Sequence, residues 1–181
     1  MKRLIAFFLI LIICFTIVPP SAYAASIARD TANEEKLATD LKDLGLFKGV
    51  SDTDFALDRA PTRTEALVML IRALGKETEA LNSSYSEPFT DVPAWADKYV
   101  SYAFAEGITT GISNTKFGTG SASACMYITF VLRSLGYSDY EGTDFYWDQP
   151  YSLAKKINIL PSSVQLVDFI RADAVTITYA A

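Results

Sequence analysis

Apolar positions recur at helical spacing in several stretches of the chain, set apart by glycine-bearing and polar runs. Between Pro61 and Gly75, Leu67, Leu70, Ile71 and Leu74 fall on one helix face. Thr62 and Glu65 bracket its start as a capping box. The Thr hydroxyl accepts from the backbone N–H three residues on, and the Glu carboxylate accepts from the cap N–H. Gly75 supplies the left-handed residue that ends the helix. Upstream, Thr31–Leu44 places Leu37, Leu41 and Leu44 on one face and is closed by Gly45. Residues 48–60 then read as loop, with Phe55 as its apolar anchor. Residues 76–87 are polar and read as a linker. Next, Asp91 or Thr90 is placed to cap a helix running to Glu106, with Pro93 in its first turn and Trp95, Tyr99 and Tyr102 on one side. After a second loop, Ser121 or Ser123 caps a helix over 124–135. A short helix over 147–156 follows, with Pro150 near its start. Asn158, which tolerates the left-handed region, stands where a closing glycine is expected. A last helix follows Phe169 and runs to the end at Ala181, an abrupt stop that leaves a longer chain open. The pattern predicts an all-α fold.

Two of these stretches are copies of one another. Gly45, Gly49, Ser51, Thr53 and Phe55 recur as Gly107, Gly111, Ser113, Thr115 and Phe117, five identities in eleven positions at an offset of 62. Roughly one identity is expected from composition alone. Behind the loops, Arg72, Leu74 and Gly75 recur as Arg133, Leu135 and Gly136. The run Arg171-Ala172-Asp173-Ala174 echoes Arg63-Thr64-Glu65-Ala66. Units that repeat at such a period bury their apolar faces against each other. The chain therefore divides into a leader over 1–24, a first unit over 25–76, the linker 77–87, a second unit over 88–137 and a shorter third over 138–181.

The leader reading rests on Lys2 and Arg3, the apolar run from Leu4 to Val18, and small residues at Ala22 and Ala24, the marks of a secretory signal peptide. That run is short for a bilayer span of roughly 20 residues. The whole chain carries a net charge of −5, and the mature part is more acidic once Lys2 and Arg3 are gone. General binding to nucleic acid or to anionic membranes is excluded on charge. An anionic ligand needs locally placed arginines. The two cysteines are Cys14, inside the leader, and Cys125, so the mature chain forms no internal disulfide. There is no histidine, which removes His-based triads and histidine zinc sites. A carboxylate-only glycosidase needs two facing acids, and a chain spent on repeats leaves no separate catalytic domain for them.

Thr62-Arg63-Thr64-Glu65 resembles the Thr-Arg-Ala-Glu-like run of S-layer homology motifs. The stretch from Phe89 through Asp91 and Pro93 to Trp95 resembles the opening of such a motif, and the loop glycines and Phe match as well. The resemblance covers about residues 31–181 and describes three tandem motifs behind a signal peptide. It implies a pseudo-threefold, all-α domain with a central three-helix bundle and three prongs. It also implies a non-enzymatic role without cofactor or metal, secretion to the cell surface, and attachment to the wall of Gram-positive bacteria. The implied partner is a secondary cell-wall polysaccharide carrying pyruvate ketals, with other surface-layer proteins as further partners. A competing reading keeps the fold but serves as a surface structural or protein-interaction module without polymer binding.

The resemblance implies that Arg63 and Arg171 contact ligand from grooves between units. Pairing with an acid such as Asp58 or Asp173 is the alternative for each. A cation in the first helical turn opposes the dipole, so local stability does not explain Arg63. Trp95 either stacks on sugar or packs in the core. Asp91 is a ligand contact or a helix cap. Gly49 and Gly111 serve backbone geometry or let a sugar approach closely. Thr62, Glu65 and Asp173 are structural members of the motif. In the second unit the run is Ser123-Ala124-Cys125-Met126, so both Arg and Glu are lost and that unit's groove is expected to lack its cation. Cys125 is expected to be a small buried residue.

Overall fold

The computed structural model describes residues 29–181. The leader reading, with Cys14, lies outside them. Seven helices are seen among the described residues: α1 (Thr31–Asp43), α2 (Arg63–Ala73), α3 (Glu77–Asn82), α4 (Asp97–Ala105), α5 (Ala124–Ser134), α6 (Tyr151–Lys156) and α7 (Arg171–Ala180). Single 3-10 turns precede α4 at Ala94–Ala96 and lie at Tyr140–Gly142. The predicted all-α class is what is observed.

Three helices, α2, α5 and α7, touch one another pairwise, while α1 packs on α7, α4 on α2 and α6 on α5. Leu67, Ile71, Ile128, Leu132, Val175 and Ile177, two from each of the three, are all but fully buried. A helix in such a place is apolar all round rather than on one stripe. Accordingly α2 buries Val68 and Met69 as well as the face foreseen in the sequence. Tyr99, Tyr102 and Tyr127 are core residues, as are the loop anchors Phe55 and Phe117.

Three helices end alike. Gly45, Gly107 and Asn158 end α1, α4 and α6 at φ of 73°, 72° and 63°. After each, an N–H reaches back to the last turn: Leu46 to Leu41, Ile108 to Ala103 and Ile159 to Ala154. Asn158 thus takes the glycine's place as expected. In the loops, Val50 donates to Asp54 O and Ile112 to Lys116 O, both at 2.8 Å, in the same turn.

Several expectations are corrected. Leu44, expected on the buried face of α1, is 70% exposed, because the chain turns away at Gly45 and Ala38 fills the core position. The polar stretch read as a linker contains α3. Ala80 is fully buried there, and Glu77 receives hydrogen bonds from Arg72, Lys48 and Tyr99 at 2.8, 2.7 and 2.7 Å. Polar sequence hid a helix that is held by charge rather than by an apolar stripe. Asp91 caps no helix, since α4 begins only after the 3-10 turn. Its carboxylate instead accepts from the N–H groups of Phe117 and Gly118 at 2.8 and 3.0 Å. The short third-unit helix begins at Tyr151, which leaves Trp147 in the turn before it. No helix among the described residues is long and apolar enough to cross a membrane.

Candidate functional site

The two motif runs that keep an arginine dock their backbone against a loop elsewhere in the chain. Arg63 N–H donates to Gly120 O and Ala122 N–H to Pro61 O, at 2.8 and 2.9 Å. Arg171 N–H donates to Arg59 O and Ala172 N–H to Leu57 O, at 2.9 and 3.0 Å. The helix then starts with its arginine pointing across a unit boundary. At α2 the capping box is complete: Thr62 Oγ1 accepts from Glu65 N–H at 3.1 Å, and Glu65 accepts from Thr62 N–H at 2.8 Å. The Arg59 guanidinium grips the same carboxylate through two bonds of 2.9 Å and is the main reason its pKa falls to about 2. At α7 only the acid half survives. Asp173 accepts from Ile170 N–H at 2.9 Å and is held by Arg29.

The arginines open into two grooves of matching design. Groove one, about 290 Å³, brings together Gly49 and Val50 from the first loop, Glu65 and Met69 from α2, Trp95 from the second unit, and Arg171. Groove two, about 370 Å³, brings together Gly111 and Ile112 from the second loop, Met126 and Phe130 from α5, Trp147 from the third unit, and Arg63. Arg72 lines the first and Arg133 the second. Trp95 and Trp147 are 58% and 64% exposed, so Trp95 is a groove wall and not a core residue. Val50 and Ile112, also exposed, face them from the loops.

The two arginines differ. Among the described residues neither forms an ion pair, so the suggested partners Asp58 and Asp173 are not used. Arg171 is only 4% exposed, and its Nε donates to Phe55 O at 2.8 Å. Nη2 reaches Lys48 O at 3.5 Å, and the guanidinium stacks 5.5 Å from the Phe47 ring centre. Burial lowers its pKa, with Arg59 adding to the effect. Arg63 lies between the rings of Phe117 and Phe130, at 5.0 and 4.8 Å. Among the described residues its one side-chain bond, to Thr109 Oγ1, is a long 3.5 Å, and its Nε is buried without a partner. Burial and the facing Arg133 bring its pKa down to about 10. Arg133 itself is paired with Asp139 at 2.6 Å.

The second unit's motif loss falls elsewhere than expected. Groove two, beside α5, takes its cation from α2, so Ala124 does not empty it. Ala124 is fully buried at the start of α5. Cys125, expected to be buried, is half-exposed in the groove wall, and its thiol donates to Trp147 O at 3.3 Å. Gly49 and Gly111 sit where a Cβ would meet backbone oxygens, Asp54 O at 2.2 Å in one case and Lys116 O at 2.6 Å in the other. Backbone geometry therefore accounts for both. The sequence reading missed Trp147, whose register in the third unit is irregular. It missed Arg72 and Arg133 too, although their recurrence at an offset of 61 was visible.

Residues 88–122 match the S-layer homology domain. The S-layer homology segment opens before Asp91, includes Trp95 and Gly111, and ends at the loop strand that docks on the Arg63 run. Three relatives extend the likeness. A middle cell wall protein of Brevibacillus brevis is 31% identical over 129 residues, 66% of this chain and 12% of that protein. A cell surface protein of Thermoanaerobacter kivui is 33% identical over 130 residues, 69% of this chain and 16% of that protein. An endoglucanase of a Bacillus species is 34% identical over 97 residues, 54% of this chain and 10% of that protein. The chain thus spans a small fraction of the length of these relatives.

Proposed function

We propose that the chain is an exported module that attaches non-covalently to the bacterial cell wall, and that it is not an enzyme. Its leader is a signal peptide, and its three tandem S-layer homology units surround α2, α5 and α7 as a pseudo-threefold bundle with three prongs. The ligand is a secondary cell-wall polysaccharide bearing pyruvate ketals, held in grooves one and two. The single observation that carries this reading is the half-buried Arg63 guanidinium, its Nε unpartnered and no acid paired with it among the described residues, in a groove walled by the exposed Trp147. A ketal carboxylate receives two parallel N–H bonds from such a guanidinium. The indole covers a sugar face, with Ile112 opposite. In groove one Trp95 supplies a second exposed indole for a sugar face, beside an Arg171 whose Nε is already held by Phe55 O. A stretch shared by a wall protein, a cell surface protein and an endoglucanase fits a role in attachment rather than in any one of their separate activities.

The test is capture of the secreted protein by purified cell-wall sacculi, with and without chemical removal of the secondary polymer. Capture that needs the polymer and fails in an Arg63→Ala variant that melts like the unsubstituted protein supports the reading. Capture indifferent to Arg63 keeps the wall role and removes groove two from it. A folded protein that is not captured at all leaves the protein-interaction reading.

A further inference from the structure

The third residue of α2 and the third residue of α5 line different grooves, and they differ in charge. Glu65 lines groove one, whereas Met126, at the corresponding place, lines groove two. The cations differ in how far they are already answered. In groove one Lys48 and Arg72 both pair with Glu77, at 2.7 and 2.8 Å, and Arg171 spends its Nε on Phe55 O. In groove two Arg133 has Asp139, but Arg63 has no acid, and its Nε has no partner. Both guanidiniums of groove two converge on adjacent residues, Arg133 on Ile108 O at 3.3 Å and Arg63 on Thr109 Oγ1 at 3.5 Å.

We infer that the two grooves divide the ligand, and that Met126 is the residue that decides it: groove two takes the acidic group, between Arg63 and Arg133, while groove one takes a neutral stretch of the same glycan. The inference rests on the polymer reading given above. Its logic inverts the apparent degeneracy of the second motif run. Losing the motif carboxylate weakens the cap of α5, where Ser123 alone accepts from Met126 N–H at 3.2 Å. It also clears a negative charge from the groove that holds the unpaired cation. Like charges placed together in a binding site cost much of the affinity, so a carboxylate there would oppose an acidic ligand. Glu65 exerts that opposition in groove one, although Arg59 tempers it.

Substitution of Met126 by Glu separates fold from binding, because the two effects have opposite signs. Ser123 followed by a Glu at the third helical position completes a capping box, so Met126→Glu raises the melting temperature. The probes are a synthetic methyl glycoside bearing a pyruvate ketal, and its methyl ester, titrated calorimetrically against the secreted protein. The unsubstituted protein is expected to bind the acid and to bind the ester much more weakly. Met126→Glu is expected to weaken acid binding by about tenfold or more relative to the neutral, same-shaped Met126→Gln. Trp147→Ala is expected to lower acid binding several-fold more than Trp95→Ala does; both tryptophans are exposed, so both variants fold. Equal acid binding in Met126→Glu and Met126→Gln, or equal losses from the two tryptophan variants, overturns the inference. If that happens while sacculi still capture the protein, the polymer reading stands without the division of labour. If neither sacculi nor the acid glycoside is bound, the polymer reading falls and the inference with it.

Discussion

The Arg63 guanidinium lies 4.8 Å from the centre of the Phe130 ring, so a side chain of the first repeat completes a groove of the second. This half-buried cation is answered by two ring faces and one long hydrogen bond rather than by an acid: its pKa is pulled down to about 10, and its enclosed Nε has no partner. An arrangement that costs stability in the free protein is what a waiting anion site requires.

Replacing Arg63 by Met is therefore expected to leave stability unchanged or to raise it by about 1 kcal/mol, since apolar groups of similar volume often outperform a buried charge. The same variant is expected to lose capture by sacculi. Urea denaturation beside a pull-down checks the pair of outcomes. A marked loss of stability would mean that the two ring contacts hold the fold, and would remove the argument for an anion site.

Arg171 is expected to behave in the opposite way. Its side chain ties α7 to the first loop through Phe55 O and stacks on Phe47. Arg171→Ala leaves a buried carbonyl unpaired and a cavity beside the ring, a loss of about 2–4 kcal/mol. Arg171→Lys recovers little of it, because an ammonium lacks the planar fork that donates and stacks together. Urea midpoints of the two variants measure this.

Much of this was readable in advance, and the reasons are local. The capping box of Thr62 and Glu65, the helix-ending glycines and the stand-in Asn158 depend on neighbours within four residues, and a sequence states those directly. The two loop anchors Phe55 and Phe117 were visible because the repeat aligned them. What was not readable depends on which units meet. Asp91 bonds to N–H groups 26 and 27 residues away, and no local pattern announces that. The helix α3 forms because Glu77 meets Lys48, Arg72 and Tyr99, drawn from three different segments. Ala124 was read as emptying the groove of its own unit, whereas each motif arginine serves a neighbour's.

Acid is expected to unfold the protein through Glu65 and Glu77. Arg59 is the main cause that brings Glu65 to about 2, and Thr62 adds to it. For Glu77, burial opposes the shift, but bonds from Lys48, Tyr99 and Arg72 outweigh it and bring the pKa to about 2. In the unfolded chain both return to about 4.3. Folded pKa values below the unfolded ones give stability that is present above about pH 4.3 and is lost as pH falls toward 2. Denaturation curves collected from pH 7 to 2 are expected to show this slope, and Glu65→Gln is expected to flatten it while lowering stability at neutral pH.

Gly111 and Gly120 lie in the same loop, and they predict contrasting outcomes for the same substitution. Gly111 has φ of +74°, and a Cβ there would meet the Phe89 ring at 2.4 Å and Lys116 O at 2.6 Å. Alanine must then adopt an unfavourable backbone region and displace a ring that packs edge-on to Phe104, 5.3 Å between centres. Backbone strain and overpacking together put the cost of Gly111→Ala at about 2–4 kcal/mol. A Cβ on Gly120 meets nothing within 4 Å, and its φ is not in the left-handed region. Gly120→Ala is therefore expected to be neutral or to gain about 0.5 kcal/mol by restricting the unfolded chain. Thermal melts of the two variants decide the matter. Equal melting temperatures would mean that the second loop yields to a side chain at Gly111, and that groove two is not held by the packing described for it.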